Sequence, residues 1–144
     1  MSYDEFNKNN SHDDHKSPIF IDADRERTSQ VISNLLSNAI KFSKKAAEDY
    51  ISIATIQNKK DDQVIVSVKD TGSGIDSQIL SRLFEKFVTK SGAGTGLGLF
   101  ISKSIVEAHG RIWAENNKDG KGGATFYFSI PLTKKIEQSS NNNE

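Results

Sequence analysis

Two glycine-rich stretches punctuate this chain, and each is tied to a regular element on one side. Asp70-Thr71-Gly72-Ser73-Gly74 follows Val64-Ile65-Val66-Ser67-Val68, whose period-two alternation is that of a strand. Gly92-Ala93-Gly94-Thr95-Gly96-Leu97-Gly98-Leu99 instead runs directly into an apolar segment with helical spacing. Glycine inside a helix costs roughly 1 kcal/mol relative to alanine, so Gly98 in the first turn asks for a reason. Bare backbone at a helix start presents free N–H groups and the positive end of the helix dipole to one point in space. That suits a polyphosphate; a flexible hinge is the plainer alternative. No Gly is followed by Lys and then Ser or Thr, so this is not a P-loop, and the first stretch lacks the third glycine of a dinucleotide fingerprint.

The elements between these stretches follow from periodicity. Ile19-Phe20-Ile21-Asp22-Ala23 predicts a short strand, and Asp24 an N-cap for a helix running to about Phe42. Val31, Ile32, Leu35, Leu36, Ala39 and Ile40 recur at three- and four-residue spacing, which predicts one buried face. Ile51-Ser52-Ile53-Ala54-Thr55-Ile56 and Val64-Ile65-Val66-Ser67-Val68 read as half-buried strands around a Lys59-Lys60-Asp61-Asp62 hairpin turn. Residues 77–83 predict a short helix. Residues 96–108 predict a longer one, with Leu97, Leu99, Ile101, Ile105 and Val106 as core positions. Two closing strands, residues 111–115 and 125–130, flank an Asn-Asn-Lys-Asp-Gly turn. This order predicts an α/β fold with helices packed on one face of a mixed sheet.

Composition sets the remaining bounds. A chain of 144 residues fits one domain with a real core. Lys+Arg and Asp+Glu balance at 19 each, so no global field argues for nucleic acid or an acidic membrane. The absence of cysteine excludes disulfide and Cys-ligated zinc scaffolds and suits a reducing compartment. No apolar run approaches the roughly 20 residues of a spanning helix, and the acidic start Met1-Ser2-Tyr3-Asp4-Glu5 is no signal peptide. A cytoplasmic location is the expectation. Residues 1–17 and 134–144 are too polar to offset ordering entropy and are expected to be disordered tails, leaving a domain over 18–133.

Candidate chemistry begins in the first helix. Asn34, Asn38 and Lys41 fall on one helical face. A carboxamide oxygen is a hard, neutral ligand suited to Mg²⁺, which keeps waters and substrate phosphates as its other ligands. Lys41 could neutralise phosphate as a point charge. Solvated polar helix positions explain the same residues equally simply. Asp70, an acid at a strand end, can accept a hydrogen bond from an exocyclic amine, with Gly72 and Gly74 allowing backbone to approach a flat base. A tight turn with a solvated Asp is the alternative.

Taken in order, these motifs resemble those of the catalytic ATP-binding domain of two-component sensor histidine kinases, within the gyrase, chaperone, kinase and mismatch-repair ATPase superfamily. Asn34-Leu35-Leu36-Ser37-Asn38-Ala39-Ile40-Lys41-Phe42 resembles the N box and Asp70-Thr71-Gly72-Ser73-Gly74 the G1 box. Leu83-Phe84-Glu85-Lys86-Phe87 resembles the F box, Gly94-Thr95-Gly96-Leu97-Gly98-Leu99 the G2 box, and Gly122-Gly123-Ala124-Thr125-Phe126 the final glycine-rich strand entry.

The resemblance implies a two-layer, Bergerat-type α/β sandwich. Its sheet would be mixed and mostly antiparallel, with three helices on one face and a mobile ATP lid. It implies ATP and Mg²⁺ as ligands. Asn38 would hold the metal with Asn34 assisting, Lys41 would reach phosphate, and Phe42 would lie near the adenine or ribose. Asp70 would take the adenine amine beside Gly72 and Gly74. Phe87, Lys90, Gly94 and Thr95 would belong to the lid, Gly96, Leu97 and Gly98 would cradle phosphates, and Thr125 would contact adenine through water.

Val88-Thr89-Lys90 stands where many members carry an aromatic and an Arg, so Lys90 would offer charge without a bidentate fork. The lid is short, and Ala108-His109-Gly110-Arg111 has one glycine where two are usual. Such kinases transfer phosphate to a histidine on a helical dimerisation domain and, through it, to a response regulator. His12 and His15 lack the Glu that follows that histidine, so the chain reads as half an enzyme. Two other readings stand beside it. One is a stand-alone ATPase, disfavoured because Asn34 occupies the place of the water-activating Glu and a carboxamide is no general base. The other is a non-catalytic nucleotide- or partner-binding module.

Overall fold

A computed structural model describes residues 18–43, 47–89, 92 and 94–133. The first helix, α1 (Arg25–Phe42), starts where Asp24 caps it: the Asp24 backbone is extended and its carboxylate accepts the Arg27 N–H at 2.9 Å. Glu26 in the first turn and Lys41 in the last complement the helix dipole. Val31, Leu35 and Ala39, each one turn apart, are buried. Ile40, expected on that face, points outward and is 61% exposed. Asp24→Ala should cost about 1 kcal/mol of stability, read from a urea titration, without changing ligand affinity, because the cap lies at the far end of α1 from the cleft described below.

The hairpin β1 (Ile51–Asn58) and β2 (Gln63–Asp70) turns through residues 59–62, as its sequence predicts. Asn58 shapes the turn, its Oδ1 accepting from the Lys60 N–H and its Nδ2 donating to Asp61. Then come α2 (Ser77–Leu80), α3 (Gly98–Val106), β3 (Ile112–Asn116) and β4 (Ala124–Pro131). The strands order as β1-β2-β4-β3. Every ladder is antiparallel, so the parallel component of a mixed sheet does not occur among the described residues. Helices α1 and α3 lie against one face, and the two-layer α/β sandwich stands.

Between the layers Val31, Leu35, Ala39 and Val106 meet Val64, Val66, Val68, Phe126, Phe128 and Ile130. The central strand β2 departs from the half-buried expectation. Its alternate residues do point to opposite faces, but both faces are covered. On the face away from the helices Ile56, Ile65 and Tyr127 cluster, and Trp113 stacks on Tyr127 at 5.1 Å between centroids. Those cover residues arrive from distant parts of the chain, beyond the reach of local periodicity.

Other boundaries shift for local reasons. The predicted strand at 19–23 reduces to a single bridge, Ile21 with Leu132, and its apolar side chains stay exposed. Helical geometry in α2 ends at Leu80, and turns carry the chain on through residues 81–87. Helix α3 begins two residues later than expected because Gly96 has φ +66°, outside the helical region. Its buried line includes Ser102 and Val106, while Ile101 faces out. No described helix is long and apolar enough to cross a membrane.

Candidate functional site

The second half of α1, the end of β2, the segment leading into α2 and the start of α3 enclose a cleft of about 220 Å³. Asn38, Lys41, Phe42, Asp70, Gly74, Gly94, Thr95, Gly96 and Gly98 all line it. Residues that share no local pattern thus converge on one cavity. The fold brings them together because β2 ends beside the C-terminus of α1, where the Ser73 N–H donates to the Phe42 carbonyl at 3.2 Å.

Asp70 occupies one end of the cleft. It is only 3% exposed, and its Oδ1 accepts the N–H groups of Gly72 at 2.8 Å and Ala124 at 3.3 Å. No described group donates to Oδ2, the oxygen left for a ligand in the cleft. Burial pushes the Asp70 pKa above the ordinary carboxylate range; the two backbone hydrogen bonds oppose this, and the nearby charge of Asp49 adds to it. A buried carboxylate with a spare acceptor is suited to a neutral donor such as an amino group.

The other end is cationic and rich in backbone. Lys41 Nζ sits 5.3 Å from the centre of the Phe42 ring and alongside Gly94. Helix α3 starts at Gly98 with no side-chain cap, so its first N–H groups remain available to an anion. Gly96 is required by geometry: a Cβ there would fall 2.7 Å from the Phe87 backbone, at a φ that side chains rarely adopt. The Phe87 N–H donates to the Gly96 carbonyl at 3.0 Å, closing the base of the loop between them. Between the two ends Ile75, Ile79, Leu83, Leu99 and Phe126 form apolar walls. Sequence reasoning did not assign these to a site, although the four-residue spacing of Ile79 and Leu83 was a usable signal.

Five anticipated residues stand elsewhere. Asn34 does not line the cleft; its Nδ2 donates to Gly98 O and Ser102 Oγ, both at 3.1 Å, tying α1 to α3. Thr125 is fully buried on the opposite face of β4 from Phe126, and its hydroxyl donates to Asn117 Oδ1 at 2.6 Å. Strand alternation forbids both neighbours from facing the cleft. Phe87 is 70% exposed with φ +64° and contributes its backbone rather than its ring. Gly72 acts through its N–H on Asp70, and Leu97 is a half-buried residue at the start of α3. Lys90 lies outside the described residues, as do His12 and His15. Among the described residues no three His, Cys, Asp or Glu side chains gather to hold a metal, so a cation in this cleft would draw ligands from Asn38, a bound anion and water.

Comparison with known proteins agrees with this geometry. The chain is 43% identical over 110 residues to the sensor protein FixL of Bradyrhizobium diazoefficiens, covering 76% of this chain and 21% of FixL. It therefore spans about a fifth of that relative's length. The catalytic domain of histidine kinase ThkA superposes with a TM-score of 0.67 at 36% identity, covering 79% of this chain and 73% of that one. Full-length ShkA in complex with AMPPNP superposes with a TM-score of 0.65 at 31% identity, over 81% of this chain and 24% of ShkA. The model of the Histidine kinase-, DNA gyrase B-, and HSP90-like ATPase family matches residues 23–134, and this chain belongs to that family.

Proposed function

We propose that this chain is the catalytic half of a two-component histidine kinase, binding Mg-ATP and donating the γ-phosphoryl group to a histidine on a separate dimerisation domain. One observation carries the reading. A single cleft has a buried carboxylate with a spare oxygen at one end, and Asn38, Lys41 and the open start of α3 at the other. Adenine fits the first end, with Asp70 Oδ2 accepting its exocyclic amine and Ile75, Ile79 and Phe126 flanking the ring. Phosphates fit the second, with Lys41 as counter-charge and the α3 N–H groups as donors. Asn38 would offer its carboxamide oxygen to Mg²⁺, with Lys90 as a further cation from the lid. Bound Mg²⁺ would steady the charge developing on the transferring phosphoryl group. The resemblance to FixL and ThkA, named a sensor protein and a histidine kinase, supports this branch of the family.

ATP bound in this cleft would present an electrophile, and among the described residues no histidine lines the cleft to accept it. His109, the one described histidine, follows α3 and does not line it. Asn34 offers no general base, and both its amide hydrogens are committed to α3. The attacking group therefore comes from another domain, positioned in line with the bound phosphate. Phe87, exposed at the base of the lid, offers an apolar anchor for that domain.

Alone, the chain should bind Mg-ATP and incorporate no label from γ-labelled ATP. Mixed with a dimerisation domain carrying its acceptor histidine, it should yield acid-labile phosphohistidine on that domain. Rapid release of free phosphate by the isolated chain would instead support the stand-alone ATPase.

A further inference from the structure

The geometry points to Asn116 and Asn117 as positioning residues of the base pocket. These consecutive carboxamides hold the two chain segments that aim Asp70, so the base preference of the cleft depends on residues that do not line it. This rests on the adenine reading above.

Strands β2 and β3 are not neighbours, because β4 lies between them. Asn117, immediately beyond β3, reaches past the start of β4 to the end of β2. Its Nδ2 donates to the carbonyls of Asp70 and Gly122, both at 2.7 Å. Its Oδ1 accepts the buried Thr125 hydroxyl, and its own N–H donates to Gly123 O at 3.0 Å. One side chain thus joins the last residue of β2, the turn at Gly122 and Gly123, and the start of β4.

The effect passes to the carboxylate through a short chain of contacts. Gly123 is pressed so closely on Asp70 that a Cβ would fall 2.1 Å from the Asp70 carbonyl oxygen. That approach brings the next residue, Ala124, to donate its N–H to Asp70 Oδ1. The same loop is pinned a second time, where buried Lys69 donates to Asp119 at 2.5 Å.

Asn116 holds the opposite side. Its Oδ1 accepts the Ile75 N–H at 2.7 Å and its Nδ2 donates to Ile75 O at 2.8 Å, a two-point clamp on the backbone of one residue. That clamp fixes the segment carrying Gly72, the other donor to Asp70 Oδ1, and Gly74 and Ile75, which line the cleft. With Oδ1 held from both sides, Oδ2 has one direction left. It faces the cleft, where an incoming amine meets an acceptor already oriented, which is what discrimination between bases requires.

The test uses the whole chain with Asn117→Ala and Asn116→Ala. Calorimetry gives affinities for ATP, GTP and Mg-tripolyphosphate, and carbon-13 spectroscopy follows the Asp70 carboxyl through its titration. ATP affinity should fall by about tenfold or more in either variant, with tripolyphosphate affinity within about twofold of the parent. The Asp70 midpoint in Asn117→Ala should rise, because the Ala124 N–H, whose hydrogen bond to Oδ1 favours the charged form, is no longer held in place. Unchanged ATP affinity, an unmoved or lowered midpoint, or equal loss of both ligands would each overturn the positioning role. Should Asn117→Ala fail to fold, Thr125→Val removes only one of Asn117's partners and should shift affinity and midpoint the same way, by less; no shift overturns the role. A parent chain that binds GTP as tightly as ATP would refute the adenine reading, and the Asp70 titration would still decide the positioning role by itself.

Discussion

Asp70→Asn should lower ATP affinity by about 100-fold or more while leaving the free chain at least as stable as its parent at neutral pH. The binding loss follows from polarity: an amide nitrogen placed where Oδ2 stands would oppose the donor amine of adenine, leaving two donors facing each other in a desolvated site. Stability moves the other way because of burial. A carboxyl whose pKa is raised on folding binds its proton more tightly in the native state than in the unfolded chain. Stability from this group is therefore greatest at low pH and declines as pH rises from the ordinary carboxylate value toward the raised native one. At neutral pH the charged Asp70 opposes folding, and asparagine removes that penalty while its oxygen keeps the Gly72 and Ala124 hydrogen bonds.

The same protonation governs binding, with the opposite sign. Only the charged carboxylate offers Oδ2 as a full acceptor, so ATP affinity should fall as pH drops through the raised pKa, and binding near that pH should release a proton. Calorimetry in buffers of different ionisation enthalpy measures the release. An Asp70→Asn chain with undiminished preference for ATP over GTP would remove Asp70 from base recognition.

What the sequence made legible was mostly local. Asp24 and the one-turn spacing of Val31, Leu35 and Ala39 mark α1 nearly to the residue, because cap and stripe lie within a single element. The hairpin at 59–62 is written in its own turn residues. The convergence of Asn38, Asp70 and Gly96 on one cleft was visible only through the order of the motifs, since no local rule connects α1 to α3.

The misplacements have a common physical origin. Asn34 and Thr125 are polar residues whose hydrogens are taken by partners that fold up beside them, Gly98 and Ser102 for one and Asn117 for the other. Spacing can put such a residue on a helix face or in a strand, but it cannot say which neighbour satisfies it. Asn116 and Asn117 were legible only as a turn for the same reason. Their decisive partners, Ile75 and Asp70, lie 41 and 47 residues away in the chain.

Gly96→Ala should separate the two ends of the cleft functionally. Residue 96 has φ +66°, a conformation that costs a side-chain-bearing residue roughly 1–2 kcal/mol. The added Cβ would also press on the Phe87 backbone from 2.7 Å, a contact that no rotamer change can relieve. The chain must open there, sacrificing the hydrogen bond from Phe87 N to Gly96 O that closes the base of the lid, a further ~1 kcal/mol. Gly98, two residues on, begins α3 and is itself held by Asn34, so the displacement falls on the N–H groups proposed to face phosphate. Mg-ATP affinity should drop by about 30- to 100-fold if the bound state needs the closed geometry. Adenosine engages only the Asp70 end and should bind within about twofold of the parent. Folding stability should fall by only about 1 kcal/mol, the worth of that lost hydrogen bond, because opening relieves the strain at the loop base while Ser102 and Val106 remain buried in the helix that follows. Equal losses for adenosine and ATP would mean that the two ends act as one unit and that Gly96 shapes the whole cleft.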